Sequence, residues 1–505
     1  MKTRHSARRS SNSAGSKGQA LILIAVAFVA LVAIVGLAVD LGRIFIALGQ
    51  LRRAVDGASL AAASQFREGR TITEMTSMAY QVMNLNGVDP INVVVEDCPN
   101  AINPGDPALC VTPIRKYVRV TATAGVPMSF LTVIGYNSIT ISSNSIAEAA
   151  SIDVVLLIDI SESMTYDAHA GDPLRDPNQC NPGHQCQPFE KVRAAASRFV
   201  QRILDLPPDQ ESDRLAFVTF SNGWQAGDMG TQIQQPPGGC QPPGCQPPGW
   251  LSTNAEAQAI VANLQVYNPP DCLGNPPFGL CRSYDPPGTF LGINCPVFDN
   301  GNDPSSCTTT NIGGALRWAG NLLGDPDTTR PDALWVVVVL TDGAANASDR
   351  DATHDYGYCP QADWDNPYCR DRFSYTRHYT MTEPLLYDAD DYARDYADFV
   401  GCYSPDPAAA CSRPGQGAVI FTIGMGNQVL STYAPGDIPH GVALLRYAAA
   451  VGDDGDPATD LCANLNHNET EWRTWCGNYY FDATGNDLDR VFEDIASRIF
   501  TRITH

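Results

Sequence analysis

Residues 20–39 form an apolar run with no charged side chain, preceded by Lys17 and closed by Asp40. At about 1.5 Å per residue, a helix over that run spans the roughly 30 Å hydrocarbon core of a bilayer. A cleaved signal peptide would carry a shorter apolar region of about 7–15 residues, so an uncleaved anchor is expected. Past Asp40 the periodicity stays helical. Leu41, Ile44, Ala47, Leu51, Ala54 and Val55 recur at steps of three and four, and Ala61, Ala62 and Ala63 favour helix, which predicts one continuous helix over about 19–66. Short β-like stretches at 92–96, 118–124 and 138–142 predict strands.

From residue 151 the texture changes. Residues 152–158 are a continuous apolar run, suited to a strand buried on both faces. Phe189, Val192, Ala196, Phe199 and Ile203 then trace one stripe of a helix. Further strands are predicted at 214–221, 334–340, 418–424 and 479–481. Helices are predicted at 312–323, around 385–400, at 442–450 and over the closing segment that bears Leu488, Val491, Phe492, Ile495 and Ile499. Buried strands alternating with amphipathic helices imply an α/β fold, a doubly wound parallel sheet. The implied organisation is a basic tail at 1–17, an anchor helix and its extension at 18–66, a small β-containing α+β region at 67–150 and an α/β domain at 151–505.

Composition narrows the setting. With 33 basic and 55 acidic side chains the formal charge is −22, which opposes nucleic-acid binding. Lys2, Arg4, Arg8, Arg9 and Lys17 nonetheless crowd the N-terminal tail, where anionic head groups would attract them. All 16 cysteines follow the apolar run, in close neighbours such as Cys98 and Cys110, Cys180 and Cys186, Cys402 and Cys411, and Cys462 and Cys476; the others are Cys240 and Cys245, Cys272 and Cys281, Cys295 and Cys307, and Cys359 and Cys369. Such spacing points to local disulfides in an oxidising compartment rather than to zinc. Together with the mild basic excess before the run, it places the N-terminus in the cytoplasm and the bulk of the chain outside.

The N-terminal segment resembles the TadE/TadG-like proteins of Tad (Flp) pilus assembly. The residues that carry the resemblance are Gly18-Gln19-Ala20-Leu21, the apolar run, Gly36-Leu37-Ala38-Val39-Asp40-Leu41-Gly42-Arg43, Gln50-Leu51 and residues 54–63. It covers 18–66 well and 67–150 loosely. After Gly18 the chain lacks the glutamate that trimmed pilin-like precursors carry.

Three polar clusters follow strands or open helices. Asp159, Ser161 and Ser163 follow the first strand of the α/β region, Thr310-Asn311-Ile312-Gly313 opens a helix, and Thr341-Asp342-Gly343 follows a valine-rich strand. Ligands of open α/β sheets bind at the carboxyl ends of strands. In this order the clusters resemble the metal-ion-dependent adhesion site (MIDAS) of von Willebrand factor A (VWA) domains, and residues 480–483 with Leu488, Phe492 and Ile495 resemble that family's last strand and helix. The resemblance implies that Ser161, Ser163 and Thr310 ligate a cation directly, with Asp159 and Asp342 acting largely through water. An all-oxygen set suits Mg²⁺, with Mn²⁺ or Ca²⁺ as substitutes. Neutral hydroxyls leave an open position for a partner protein's carboxylate, which is binding chemistry and not catalysis. The sequence therefore reads as a membrane-anchored, metal-dependent partner-binding protein of pilus assembly or adhesion. The alternatives are a structural envelope protein with a vestigial metal site and, further off, a metal-dependent hydrolase, for which no motif places a general base.

Insertions at about 222–306 and 344–384 are rich in Cys, Pro and Gly. The turns around 299–303 and 453–456 lack the spacing of calcium loops. The aspartates of the 385–400 helix are expected on a solvent face.

Overall fold

The computed structural model describes residues 17–67, 71–110, 116–149, 151–167, 174, 176–204, 213–221, 231–236, 249–267, 310–331, 333–349, 358, 376–402, 411, 415–432, 437–456, 462 and 469–502. The tail residues Lys2, Arg4, Arg8 and Arg9, the cysteines between 240 and 307, Cys359, Cys369 and the turn at 299–303 lie outside them. The chain divides into two compact units, residues 1–111 with 116–149, and residues 112–115 with 150–505.

The first unit begins with helix α1 (Lys17–Arg67), which contains a segment long and apolar enough to cross a membrane. Its C-terminal half packs on helix α2 (Ile72–Leu85) and on an antiparallel sheet ordered β1 (Pro90–Glu96), β2 (Lys116–Pro127) and β3 (Ser138–Ala149). Ala54, Ala58 and Ala62 share one face of α1, and their small side chains let the helix sit against Met75, Ala79 and Met83 of α2 and Val118, Val120 and Ala122 of β2. The periodicity did not predict α2, yet a capping box marks its start. Thr71 accepts from Glu74 N at 3.4 Å, and Thr71 N donates to Glu74 Oε2 at 2.9 Å. Cys98 and Cys110 are joined by a disulfide.

The second unit is a doubly wound α/β fold. Its elements run β4 (Ile152–Asp159), α3 (Pro177–Cys180), α4 (Phe189–Leu204), β5 (Arg214–Phe220), β6 (Gln232–Ile233), α5 (Asn254–Asn263), α6 (Ile312–Gly324) and β7 (Leu334–Thr341). Then follow α7 (Ala389–Gly401), β8 (Val419–Met425), α8 (His440–Asp454), α9 (Glu469–Trp472), β9 (Tyr479–Asp482) and α10 (Leu488–Arg502). The sheet order is β6-β5-β4-β7-β8-β9, parallel except at its edge, where β6 runs antiparallel to β5.

Alternation along the strands sends side chains to two cores. Val154, Leu156 and Ile158 face α4, α5 and α10, whereas Val155 and Leu157 face α6, α7 and α8. Every residue of β4 is buried, as its unbroken apolar run requires. Truncating Leu156 to Ala would cost on the order of 2–5 kcal/mol. Part of the 222–306 insertion belongs to this framework. Leu251 bridges to Leu215, and Ala257, Ile260 and Val261 of α5 join the core beside α4. Disulfides join Cys180 to Cys186, Cys402 to Cys411 and Cys462 to Cys476.

One expectation is reversed. Asp388, Asp390, Asp391, Asp395 and Asp398 of the α7 region are buried and do not face solvent. Arg377 reaches Asp395 at 2.6 Å and Asp398 at 3.0 Å, Tyr447 donates to Asp398 at 2.7 Å, and His378 N donates to Asp391 at 2.8 Å. Counter-ions make the burial tolerable: Arg394 from within α7 pairs with Asp390, and Arg377, which a helical window on the sequence does not contain, pairs with Asp395 and Asp398.

Candidate metal centre

The connections of β4 and β7 leave in opposite directions, β4 towards β5 and β7 towards β8. Such a reversal opens a crevice at the carboxyl ends of the two strands. Asp159 is the last residue of β4 and Asp342 immediately follows β7, so both carboxylates stand at that crevice.

Asp159 is fully buried. Its Oδ1 accepts from Ser161 N at 2.8 Å, and its Oδ2 accepts from the Thr341 hydroxyl at 2.5 Å. The sharp exit from β4 leads into a 3-10 turn (Glu162–Thr165) with Ser161 as its N-cap. That turn brings the Ser161 and Ser163 hydroxyl oxygens to 2.9 Å from each other. Ser163 in turn donates to Asp342 Oδ1 at 2.7 Å. Thr310 comes from the start of α6. Its N–H donates to Asn346 Oδ1 at 2.6 Å, and its carbonyl accepts from Asn346 N at 3.1 Å. Its hydroxyl oxygen lies 3.3 Å from where a Cβ on Gly343 would stand, so a side chain after Asp342 would crowd that hydroxyl.

Asp159, Ser161, Ser163, Thr310 and Asp342 are thus brought together, and all five are buried or nearly so. Burial pushes the Asp159 carboxyl up to about 6, against hydrogen bonds from Ser161 and Thr341 that favour its charged form. Burial and then the charge of Asp159 hold Asp342 well above the usual carboxylate range. Two buried acids, one of them raised further by the charge of the other, make a site that gains from a positive charge. Among the described residues no group of three or more His, Cys, Asp or Glu side chains is arranged to hold a metal. This cradle is of another kind, three hydroxyls with two carboxylates, and its all-oxygen chemistry fits a hard divalent cation.

Three supporting residues were not assigned from sequence. Thr341 orients Asp159 and accepts from Gly343 N at 3.1 Å. Asn346 fixes the Thr310 backbone, and Asn311 caps α6 through Gly314 N at 2.9 Å while its amide donates to Asp349 at 2.8 Å. The polar residues directly after β7 and at the start of α6 were a visible signal for Thr341 and Asn311; Asn346 had none.

Residues 18–65 match the family model described as putative Flp pilus-assembly TadE/G-like. No curated protein matches the chain. Among solved structures, proximal thread matrix protein 1 of the mussel byssus aligns at 10% identity and TM-score 0.32, over 69% of this chain and 47% of that one. The pilus adhesin SpaC of Lactobacillus rhamnosus GG aligns at 13% identity and TM-score 0.35, over 77% of this chain and 33% of that one. The vWF domain of the type V pili tip protein Mfa5 of Porphyromonas gingivalis aligns at 12% identity and TM-score 0.32, over 70% of this chain and 96% of that one. The chain spans about half the length of the mussel protein and a third of SpaC. Likenesses this distant say nothing about function.

Proposed function

We propose that this is a membrane-anchored, extracytoplasmic protein of Tad-type pilus assembly or surface adhesion, whose α/β unit grips a partner protein through a divalent cation. Residues 20–39 would cross the membrane once with the N-terminus in the cytoplasm, and 151–505 would form the binding domain. Ser161, Ser163 and Thr310 would hold the ion directly, with Asp159 and Asp342 behind them. Mg²⁺ is the first expectation, Mn²⁺ or Ca²⁺ the substitutes. The family match of the anchor segment supports the pilus association.

The observation that carries the metal reading is the buried chain of contacts from Asp159 through Ser161 and Ser163 to Asp342, with the Thr310 hydroxyl alongside. Among the described residues the hydrogen-bond donors to the two carboxylates are hydroxyls and backbone N–H groups, and neutral donors leave the two acids' charge uncompensated. A bound cation would supply that compensation and, through a vacant position, attract a carboxylate from a partner. The residues' own task is to hold and orient; none is placed to activate a nucleophile.

Thermal denaturation of the protein with Mg²⁺ and with EDTA tests the reading. The midpoint should rise with Mg²⁺ in the native protein and not respond in Asp159→Ala. A native midpoint indifferent to both additions would overturn it. A pull-down of pilus components with and without EDTA tests the partner, which should be lost with the chelator.

A further inference from the structure

Along the apolar run of α1, residues 21–35 and 37–39 are exposed, but Gly36 and Asp40 are buried. Four residues apart, they share one face of the helix, and the segment connecting β2 to β3 covers both. Asp40 Oδ1 accepts from Ser129 N at 2.8 Å, and its Oδ2 accepts from Phe130 N at 2.9 Å and Leu131 N at 2.7 Å. Arg43 donates to the Ser129 hydroxyl. The Phe130 ring lies over Gly36, where an added Cβ would meet it at 2.6 Å. A side chain larger than hydrogen at 36 would force the Phe130 side chain to move.

Gly36 lies about 6 Å along the helix axis from Asp40, towards the middle of the apolar run. The 128–137 segment is therefore pinned beside the run itself and not merely beyond its end. It contains no charged residue, and Val133 is 86%, Ile134 68% and Tyr136 61% exposed. Its backbone is largely paired within the turn and with Asp40. Besides the three N–H groups taken by Asp40, those of Val133, Gly135 and Tyr136 donate to the carbonyls of Phe130, Thr132 and Leu131, and the Thr132 hydroxyl donates to Ser129 O. Chain that enters hydrocarbon must satisfy its backbone internally, and aromatic residues collect at the interface.

We propose that the 128–137 turn is a second membrane contact, with Val133 and Ile134 among the acyl chains of the leaflet at the Asp40 end and Tyr136 at the head groups. Asp40 acts as the clamp that fixes the turn's depth against α1. The occupant is lipid because the exposed apolar surface of the turn is continuous with that of the helix to which it is bound. The inference rests on residues 20–39 crossing the membrane.

Single cysteines placed at Ile134, Val29 and Leu85 of the full chain, carrying a nitroxide and reconstituted without reduction in phosphatidylcholine–phosphatidylglycerol vesicles, test it by relaxation with oxygen and with a nickel chelate. Labels at 29 and 134 should favour oxygen several-fold over the label at 85, which is 86% exposed on α2. If 29 favours oxygen while 134 behaves like 85, the second contact is wrong and the anchor stands. If 134 is shielded from both reagents, a second protein copy covers the turn and the lipid assignment fails. If 29 and 134 both favour nickel, the anchor fails with it. Asp40→Ala should abolish the oxygen preference at 134 and leave that at 29; an unchanged signal at 134 would refute the clamp.

Discussion

Ser163 donates its hydroxyl to Asp342 at 2.7 Å, across 179 positions of sequence. The bond links the turn after β4 to the turn after β7. It gives Ser163 one neighbour that would share any cation and another, Ser161, whose oxygen stands 2.9 Å away. The two strand ends are thereby tied to each other. For the proposed cation, pre-positioning of this sort would lower the cost of ordering the protein on binding.

Ser163→Ala removes both a proposed ligand and the donor to Asp342. Apparent Mg²⁺ affinity, read from the concentration dependence of the melting midpoint, should fall at least about tenfold, as for losses around metal sites generally. Wild-type affinity in this variant would remove Ser163 from the coordination shell.

Thr341→Val tests positioning at almost constant shape. Asp159 loses a buried donor and Gly343 N loses its acceptor, which should cost about 1–3 kcal/mol in urea denaturation. Mg²⁺ affinity should weaken about 10–100-fold, and Thr341→Ser should restore most of it. A stability loss with unaltered Mg²⁺ response would make Thr341 purely structural.

Gly452 of α8 sits on β8 so closely that an added Cβ would collide with the backbone of Ile420. Neither backbone can rotate away, so Gly452→Ala should destabilise the α/β unit by about 1–3 kcal/mol or more. A midpoint unchanged in urea would mean that α8 can slide.

Asp391 gives the stability a pH dependence. Burial pushes its carboxyl up to about 8, the adjacent Asp390 adds to the rise, and Arg394 opposes it. The folded chain holds this proton to a higher pH than the unfolded chain, whose ordinary value is 3.8. The contribution is complete below that value and is lost as pH rises towards about 8. Asp391→Asn cannot ionise, so its denaturation midpoint should decline less over that window than the native protein's. Parallel declines would assign the dependence to other groups.

The α/β order was legible because strands buried on both faces leave long apolar runs, as at 152–158 and 334–340. The candidate site was legible because strand ends in such a sheet converge, so Asp159 and Asp342 had to be neighbours once β4 and β7 were. Thr310 was placed by the helix it opens. The role of Asn346 was not legible, since it acts through the backbone of a residue 36 positions away. The α7 aspartates were misread for a related reason. Besides Arg394 in the same helix, their partners Arg377, His378 and Tyr447 belong to other segments, and helical spacing alone cannot distinguish a hydrated face from a paired one. The helices α2 and α5 could have been found from Thr71 with Glu74 and Thr253 with Glu256, the capping pairs at their starts.

The register of the two central strands has a consequence for how this architecture can vary. Ile158 pairs with Leu340, so β4 and β7 end level, and their side chains alternate in step. Adding one residue inside either strand would turn its terminal aspartate to the opposite face of the sheet and dissolve the cradle, while two would restore its face at a different height. Between the strands, by contrast, chain length is nearly free. Variation is counted in whole residues within the strands, whereas the loops between the core helices and strands tolerate additions of almost any length.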